Sequence, residues 1–333
     1  MATRPRAPFL PTGFSLECAS AGLAAHGRLL PLHPRQTTHP RRLLSFTRYP
    51  SVLYVSPRLS LRVVCAPGIA TMKKRLQRQP ETCPTAYDAF ALAYNTHWGP
   101  LSLQWTRWLA TLLLPRVSPG SRILDVCCGT GQISSELSRH GYHMVGLDGS
   151  RQMLRYAKAN ASRVQFIQAD VRRFGLSPWF DAALCLFDSL NHLLSTDDLA
   201  AAFRSIAACL MPGAWFLFDV NTPRSYELYW KGRSRLTACD HQIRTNSVYY
   251  RESGIGLFTA AIRPTGSAQQ RASTVTLWQR CHHHEEVLAA LRATGFCSIE
   301  TYMLEHDILA SGYAEQAERA FYLARRSSIG TRR

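Results

Sequence analysis

Residues 122–221 predict an α/β protein built on a doubly wound, mostly parallel sheet. Apolar runs of strand length alternate there with amphipathic stretches of helical period, the pattern of a parallel sheet wound through its helices. Start and stop residues punctuate the helical stretches. After residue 222 the rhythm changes to consecutive strands, which predicts an antiparallel insertion before the first pattern resumes.

The elements follow in order. RILDVCC (122–128) reads as a strand, QISSELSRHG (132–141) as a helix ended by Gly141, and HMVGLDG (143–149) as a second strand. SRQMLRYAKANA (150–161) is a helix with Ser150 as N-cap, then VQFIQAD (164–170) and FDAALCLF (180–187) are strands. TDDLAAAFRSIAACLMPG (196–213) is a helix with Thr196 as N-cap, Asp197 and Asp198 in the positive first turn, and Pro212-Gly213 as the stop. Leu199, Phe203, Ile206 and Leu210 form its buried stripe. AWFLFDVN (214–221) is the fifth strand. HQIRTNSVYYRES (241–253), IGLFTAAIRPT (255–265) and RASTVTLWQRC (271–281) read as antiparallel strands of an insertion over 223–281, a substrate cap or a dimer contact. EEVLAALRATG (285–295), CSIETYMLE (297–305) and RAFYLARR (319–326) then supply a helix and two strands that rejoin the sheet.

Charge is unevenly spread. The chain of 333 residues carries +17, but residues 1–71 hold nine arginines against one acid and residues 72–80 add four more positive charges, leaving +5 for residues 81–333. The first 71 residues also hold nine of the 18 prolines and show no sustained period, so they read as an unpacked leader. Such a leader fits either a targeting segment or a start-site choice, with Met72 as the alternative first residue. The basicity therefore says little about substrate. The ten cysteines include no C-x-x-C spacing and several lie in apolar runs, which predicts reduced thiols and a cytoplasmic protein. No apolar run approaches the ~18 residues needed to span a bilayer.

The stretch ILDVCCGTGQIS (123–134) carries the chemistry. Adjacent Cα atoms lie about 3.8 Å apart, too close for an unstrained disulfide, and one Cys pair gives no metal ligand set. Cys127 and Cys128 read as small residues near a strand end. A strand that runs into Gly129-Thr130-Gly131 and then a helix lets backbone approach a ligand closely. Asp125 lies in the first strand, Asp148 at the end of the second and Asp170 at the end of the third, and in a doubly wound sheet those ends line the ligand crevice. Asp148 stands 17 residues past Gly131, a spacing suited to ribose hydroxyls, and Asp170 follows 22 residues later, placed to accept from an adenine amino group. A dinucleotide fingerprint fits poorly, because Ser134 stands where its third glycine or alanine belongs. A ligand with an ammonium, a ribose and an adenine accounts for all three acids; S-adenosylmethionine is such a ligand.

DVCCGTG, GLDGS followed by Met153-Leu154, and QADVRRF resemble the nucleotide-binding motifs of class I S-adenosylmethionine-dependent methyltransferases. The resemblance spans roughly residues 85–327 and includes YDAFALAYNTHWG (87–99) and FDSLNHL (187–193), a combination similar to a bacterial subgroup whose substrates are mostly unassigned. It implies a Rossmann-like, seven-stranded sheet whose last strand, RAFYLARR, runs antiparallel, in a domain over 72–222 and 282–327. It further implies that Gly129, Thr130 and Gly131 shape the cofactor turn and that Asp125 sits near the methionine ammonium. Asp148 with Gly149 would bind the ribose, Met153 would lie beside it, and Asp170 with Val171 would meet the adenine. Phe187 and Asn191 would line the methyl-transfer face, with Tyr87, Tyr94 and Trp98 closing over the cofactor from an N-terminal helix.

Methyl transfer needs alignment and desolvation of the acceptor, and in-line positioning is worth about 7–11 kcal/mol. Candidate general bases are Asp188, His192 and Asn221, with Asp219 just inside the fifth strand. Each also has an ordinary reading: turn cap, half-buried histidine, turn residue. CHHHEE (281–286) reads as a helix start rather than a metal site, since consecutive histidines diverge. The function expected is methyl transfer from S-adenosylmethionine to a small molecule by a monomer or homodimer. No nucleic-acid module and no N/D-P-P-Y tetrapeptide after the fourth strand are present, which argues against an RNA methyltransferase anchored by the leader. A non-catalytic module that binds the cofactor is the remaining alternative.

Overall fold

The computed structural model describes residues 84–265 and 272–328; the leader, residues 1–71, lies outside the described residues. Helix α1 (Pro84–His97) and helix α2 (Thr106–Leu112) precede the sheet. The alternating region then runs β1 (Arg122–Val126), α3 (Gln132–Arg139), β2 (His143–Asp148), α4 (Arg151–Asn160), β3 (Gln165–Gln168), β4 (Phe180–Cys185), α5 (Thr196–Cys209) and β5 (Leu210–Asn221). Helix α6 (Pro223–Tyr229) leads into β6 (Gly232–Thr237), β7 (His241–Tyr250), β8 (Ile255–Pro264) and β9 (Ser273–Arg280). Helix α7 (His284–Ala293), β10 (Phe296–Glu305), β11 (Ile308–Ser311) and β12 (Arg319–Arg326) complete the fold.

The main sheet has the order β11-β10-β12-β5-β4-β1-β2-β3. Strands β3, β2, β1, β4 and β5 are parallel, and β12 runs antiparallel to both its neighbours, β5 and β10. Seven of these strands are the doubly wound sheet expected from the sequence; β11 adds a short hairpin partner at the edge of β10. Strands β6 to β9 form a separate antiparallel sheet.

Period-2 alternation divides the core between the two faces of the main sheet. Phe216 and Phe218 of β5 pack with Leu199, Phe203 and Ile206 of α5 and with Val287 and Leu291 of α7. Leu217, between them in sequence, joins Ile133 and Leu137 of α3 and Leu109 and Leu112 of α2 on the opposite face. A third cluster joins the second sheet to α1: Phe90 and Ala93 pack against Ile243, Ala260, Ile262, Val275 and Leu277.

Local signals held with small shifts. Ser150 caps α4, its Oγ accepting from the Met153 N–H at 3.1 Å. Helix α5 is capped by Ser195 rather than Thr196: the Ser195 hydroxyl accepts from the Asp198 N–H at 3.0 Å, and Thr196 is the first helical residue. That helix ends at Cys209, ahead of Pro212-Gly213, because Leu210 already turns to extended geometry and opens β5. The three histidines of CHHHEE part company. His282 is buried, His283 caps α7, and His284 meets the Tyr322 hydroxyl at 2.8 Å. The structure also contains α6, β6 and β11, which the sequence pattern did not mark.

Candidate active site

The β1–β4 junction, where the chain reverses its winding direction, opens at its carboxyl ends into a cavity of about 1710 Å³. Helix α1 runs along one side, and residues of α6 and the second sheet line the far end.

The glycine turn is built from left-handed residues. Cys127, Gly129 and Gly131 have φ of 57°, 55° and 80°, so the chain coils tightly out of β1 and into α3. At Gly129 a Cβ would lie 3.3 Å from the Tyr94 ring, which rests on the turn from α1. The Gly129 N–H donates to Asp148 Oδ2 at 2.9 Å, and the Ser150 N–H donates to Oδ1 at 2.8 Å. The Asp148 carboxylate is thereby fixed at the end of β2, where it lines the cavity. Burial raises its pKa, and the two N–H donors oppose that rise. Gly149, Met153, Asp170 and Val171 continue the same wall. Asp170 is held by Arg172, whose Nη2 donates to Oδ2 at 2.7 Å and lowers the Asp170 pKa.

Asp125, Thr130, Gly131 and Asn191 lie behind the wall. Asp125 is 3% exposed and accepts from the Ser134 hydroxyl at 2.5 Å; burial raises its pKa to about 7. Thr130 donates to Gln132 Oε1 at 2.7 Å. Gly131 is required by packing, since a Cβ would lie 3.1 Å from the Ala157 Cα. Asn191, fully buried, ties two segments together: its Nδ2 donates to the Arg280 carbonyl and its Oδ1 accepts from the Asn221 N–H. Instead of lining the cavity beside Phe187, as expected from the sequence, it braces the loop that carries Phe187.

The loop after β4 carries the rest. Phe187 and Asp188 are both left-handed, with φ of 63° and 51°, an arrangement that costs free energy at non-glycine residues. Asp219, 0% exposed on β5, accepts both of their N–H groups, at 2.7 and 3.2 Å. Arg319 at the start of β12 bridges Asp188 and Asp219, and Trp105 lies over its guanidinium. Burial opposes the Arg319 charge, but the two carboxylates outweigh it and keep the guanidinium protonated. Burial raises the Asp219 pKa, while Arg319 opposes it.

His192 sits beside this ion cluster. Its Nδ1 contacts the Trp278 carbonyl at 2.8 Å, so that nitrogen carries the proton and Nε2 is the basic atom. Nε2 accepts from the Tyr87 hydroxyl at 2.9 Å, and burial lowers the His192 pKa, favouring the neutral ring. Gln279, which the sequence did not single out, is the hub of the network. Its Nε2 donates to Asp188 Oδ2 at 2.6 Å, and its Oε1 accepts from Asn221 and Tyr226. Asn221 also accepts from Ser225 and reaches the cavity wall from the end of β5. Tyr87, Tyr94 and Trp98 all line the cavity from α1 and its end. Asp88, also unmarked in the sequence, pins α1 to the start of α4 by accepting from the Ser150 hydroxyl and the Gln152 N–H. The sequence sign of Gln279 was a polar residue inside an apolar strand, as at the already named Asp219; Asp88, on a helix, carried no such sign.

A family model described as a methyltransferase domain matches residues 123–213, from the start of β1 into β5. The chain is 37% identical over 143 residues to the putative methyltransferase YqeM of Bacillus subtilis (strain 168), covering 41% of this chain and 56% of that protein. It is 34% identical over 105 residues to a dTDP-3-amino-3,4,6-trideoxy-alpha-D-glucopyranose N,N-dimethyltransferase of Streptomyces venezuelae, covering 32% of this chain and 44% of that protein. The chain thus spans about half the length of the curated relatives it matches. The fold is shared with an S-adenosylmethionine-dependent methyltransferase from Clostridium acetobutylicum ATCC 824, at a TM-score of 0.53 and 15% identity over 78% of this chain and 97% of that one. Residues 123–213 thus match a methyltransferase domain, the matched relatives are named as methyltransferases, and the fold as a whole is one that an S-adenosylmethionine-dependent methyltransferase also adopts.

Proposed function

We propose that this chain transfers the methyl group of S-adenosylmethionine to a small-molecule acceptor, in a cytoplasmic setting that suits its free cysteines. The observation that carries the reading is the fixed Asp148 carboxylate, held by two backbone N–H groups and facing the cavity beside the bare Gly129. These residues fit the cofactor: Asp148 suits ribose hydroxyls, Asp170 and Val171 an adenine, and the side-chain-free glycine turn beneath Tyr94 a close approach. When bound, the cofactor supplies an electrophilic sulfonium methyl group.

The chain's own residues supply alignment and a proton acceptor. Phe187 and Asp188 present the loop that faces the transfer site, and Asp219 with Arg319 holds it in shape. His192 Nε2, its tautomer set by Trp278, is the base we assign for an acceptor that arrives protonated and displaces the Tyr87 hydroxyl from that nitrogen. Asp188, already paired with Arg319 and Gln279, orients rather than abstracts, and Asn221 offers amide hydrogen bonding at the same wall. Tyr87, Tyr94 and Trp98 on α1 act as a lid over the cofactor, and the sheet β6–β9 acts as a cap over the acceptor. Three of the curated relatives are described by name as N,N-dimethyltransferases of dTDP-linked amino sugars, which supports a small acceptor over a polymer.

Calorimetric titration of the full chain with S-adenosylmethionine and S-adenosylhomocysteine tests the reading. One molecule of each should bind per chain, and Asp148→Ala should abolish binding while leaving the circular dichroism spectrum unchanged. Undiminished affinity in that variant would remove Asp148 from the site.

A further inference from the structure

The cap is far more basic than the fold that carries it. Residues 223–281 hold nine arginine and lysine residues against three acids, a net +6, whereas the rest of residues 81–333 sum to −1. Where the cavity wall carries other arginines, they are already neutralised. Arg107 pairs with Asp307, Arg172 with Asp170 and Asp198, Arg280 with Glu286, and Arg319 with Asp188 and Asp219. Lys231 and Arg233 differ. Both line the cavity where α6 passes into β6, and among the described residues neither has an acidic partner.

Arg233 shares the outward face of β6 with Arg235, opposite the face of Ser234 and Leu236, so it stands at the rim of the cavity and the positive strip continues outward from there. Arg235 on β6 stands directly across the ladder from Arg244 on β7, and Arg263 lies opposite Gln242, two residues from Arg244. Like charges directly opposite in a ladder destabilise it unless an anion screens them. Such a field raises the local concentration of anions at the cavity mouth. The cavity also exceeds the roughly 300–1,000 Å³ typical of a single small-ligand site, so it has room for an acceptor beside the cofactor.

We propose that the acceptor is a phosphorylated small molecule whose phosphate is gripped by Lys231 and Arg233 while its methylated end lies against the loop after β4. This rests on the methyl-transfer reading above. Two uncompensated cations match the charge of one phosphate group, roughly −1.5 to −2 at neutral pH. An arginine offers paired N–H donors to phosphate oxygens, and a lysine adds a point charge.

The test is titration of inorganic pyrophosphate into the full chain saturated with S-adenosylhomocysteine. The unaltered protein should bind pyrophosphate, and Lys231→Ala with Arg233→Ala should weaken that binding by about tenfold or more, as expected for losing charge-assisted contacts. S-adenosylhomocysteine affinity and thermal midpoint should stay unchanged, since both side chains are exposed. Arg235→Ala with Arg244→Ala should slow association without removing the site. The leader is common to every variant, so its charge cancels from the comparison. Pyrophosphate binding that is absent, or unaffected by the Lys231/Arg233 pair, overturns the proposal. So does a single-stranded homopolymer RNA that binds more tightly than pyrophosphate and depends on Arg235 and Arg244. Failure of S-adenosylhomocysteine to bind the unaltered chain would instead sink the methyl-transfer reading itself.

Discussion

Asp219 spends one carboxylate on three tasks. It accepts two strained N–H groups and neutralises Arg319, all without exposure to solvent. Asp219→Asn keeps the shape but weakens the hold on Arg319 and leaves only one carbonyl acceptor for two N–H groups. With an acceptor in hand, kcat is expected to fall by about 100-fold, the size of a misplacement near 1 Å, with little change in KM for S-adenosylmethionine. A rise in KM alone would assign Asp219 to cofactor binding. His282 gives a second prediction. Burial, and behind it the Arg280 charge, push its pKa down to about 4 from the usual 6.5. The unfolded chain therefore takes up the proton first, and stability falls as pH drops from about 6.5 toward 4, by roughly 3 kcal/mol for this group. Urea melts across that range should show a shallower decline in His282→Gln than in the parent. Residues at strand ends were legible in the sequence: Asp148 and Asp170 stand on the cavity wall because β2 and β3 end there. Asp125 and Asn191 were named too, but Asp125 lies within β1 short of its end, and Asn191 sits on a short helical turn whose inward side the sequence does not reveal. Gln279 and Arg319 were not legible, because they reach the loop after β4 from about 90 and 130 residues away.

Helix α1 is the element with the most varied attachments. Asp88 ties it to α4, Asn95 accepts from Gln132 and Asn160, and Phe90 anchors it in the second sheet's apolar face. Tyr94 lies on Gly129, so the helix covers the glycine turn. Tyr94→Ala should weaken S-adenosylhomocysteine binding by about tenfold, a loss consistent with uncovering one aromatic contact. Amide hydrogen exchange across residues 84–97 should slow when that ligand binds; unchanged exchange would argue against a lid. The alternating elements β1 to β5 were readable because their periods are clean and their caps are local. Helix α6 and strand β6 escaped notice. Their apolar residues are few, and β6 is almost wholly exposed, held by its ladder with β7 rather than by a buried face.

At the scale of the whole chain, two sheets share one helix. Residues of both sheets line the one large cavity, the main sheet on the side assigned above to the cofactor and the second sheet on the side assigned to the acceptor. No helix among the described residues is long and apolar enough to cross a membrane. The doubly wound order was predictable from the sequence, because each crossover is short and each helix has one apolar stripe. The docking of the second sheet was not, since it depends on contacts between Phe90 and residues more than 150 positions later.

That shared helix has a consequence for the timing of catalysis. Ile243, Ala260, Ile262, Val275 and Leu277 pack on the side of α1 that faces the second sheet, while Tyr94 rests on the glycine turn. On the proposed function, a movement of α1 would disturb both contacts together, so spent cofactor and finished product would leave in one opening event and a second methylation of the same molecule would require release and recapture. Ile262→Ala, which removes a buried side chain at a cost of about 2–5 kcal/mol, should speed S-adenosylhomocysteine dissociation in stopped-flow experiments although it lies outside the cavity wall. For an acceptor with two methylation steps, the singly methylated form should accumulate in solution before the doubly methylated form appears.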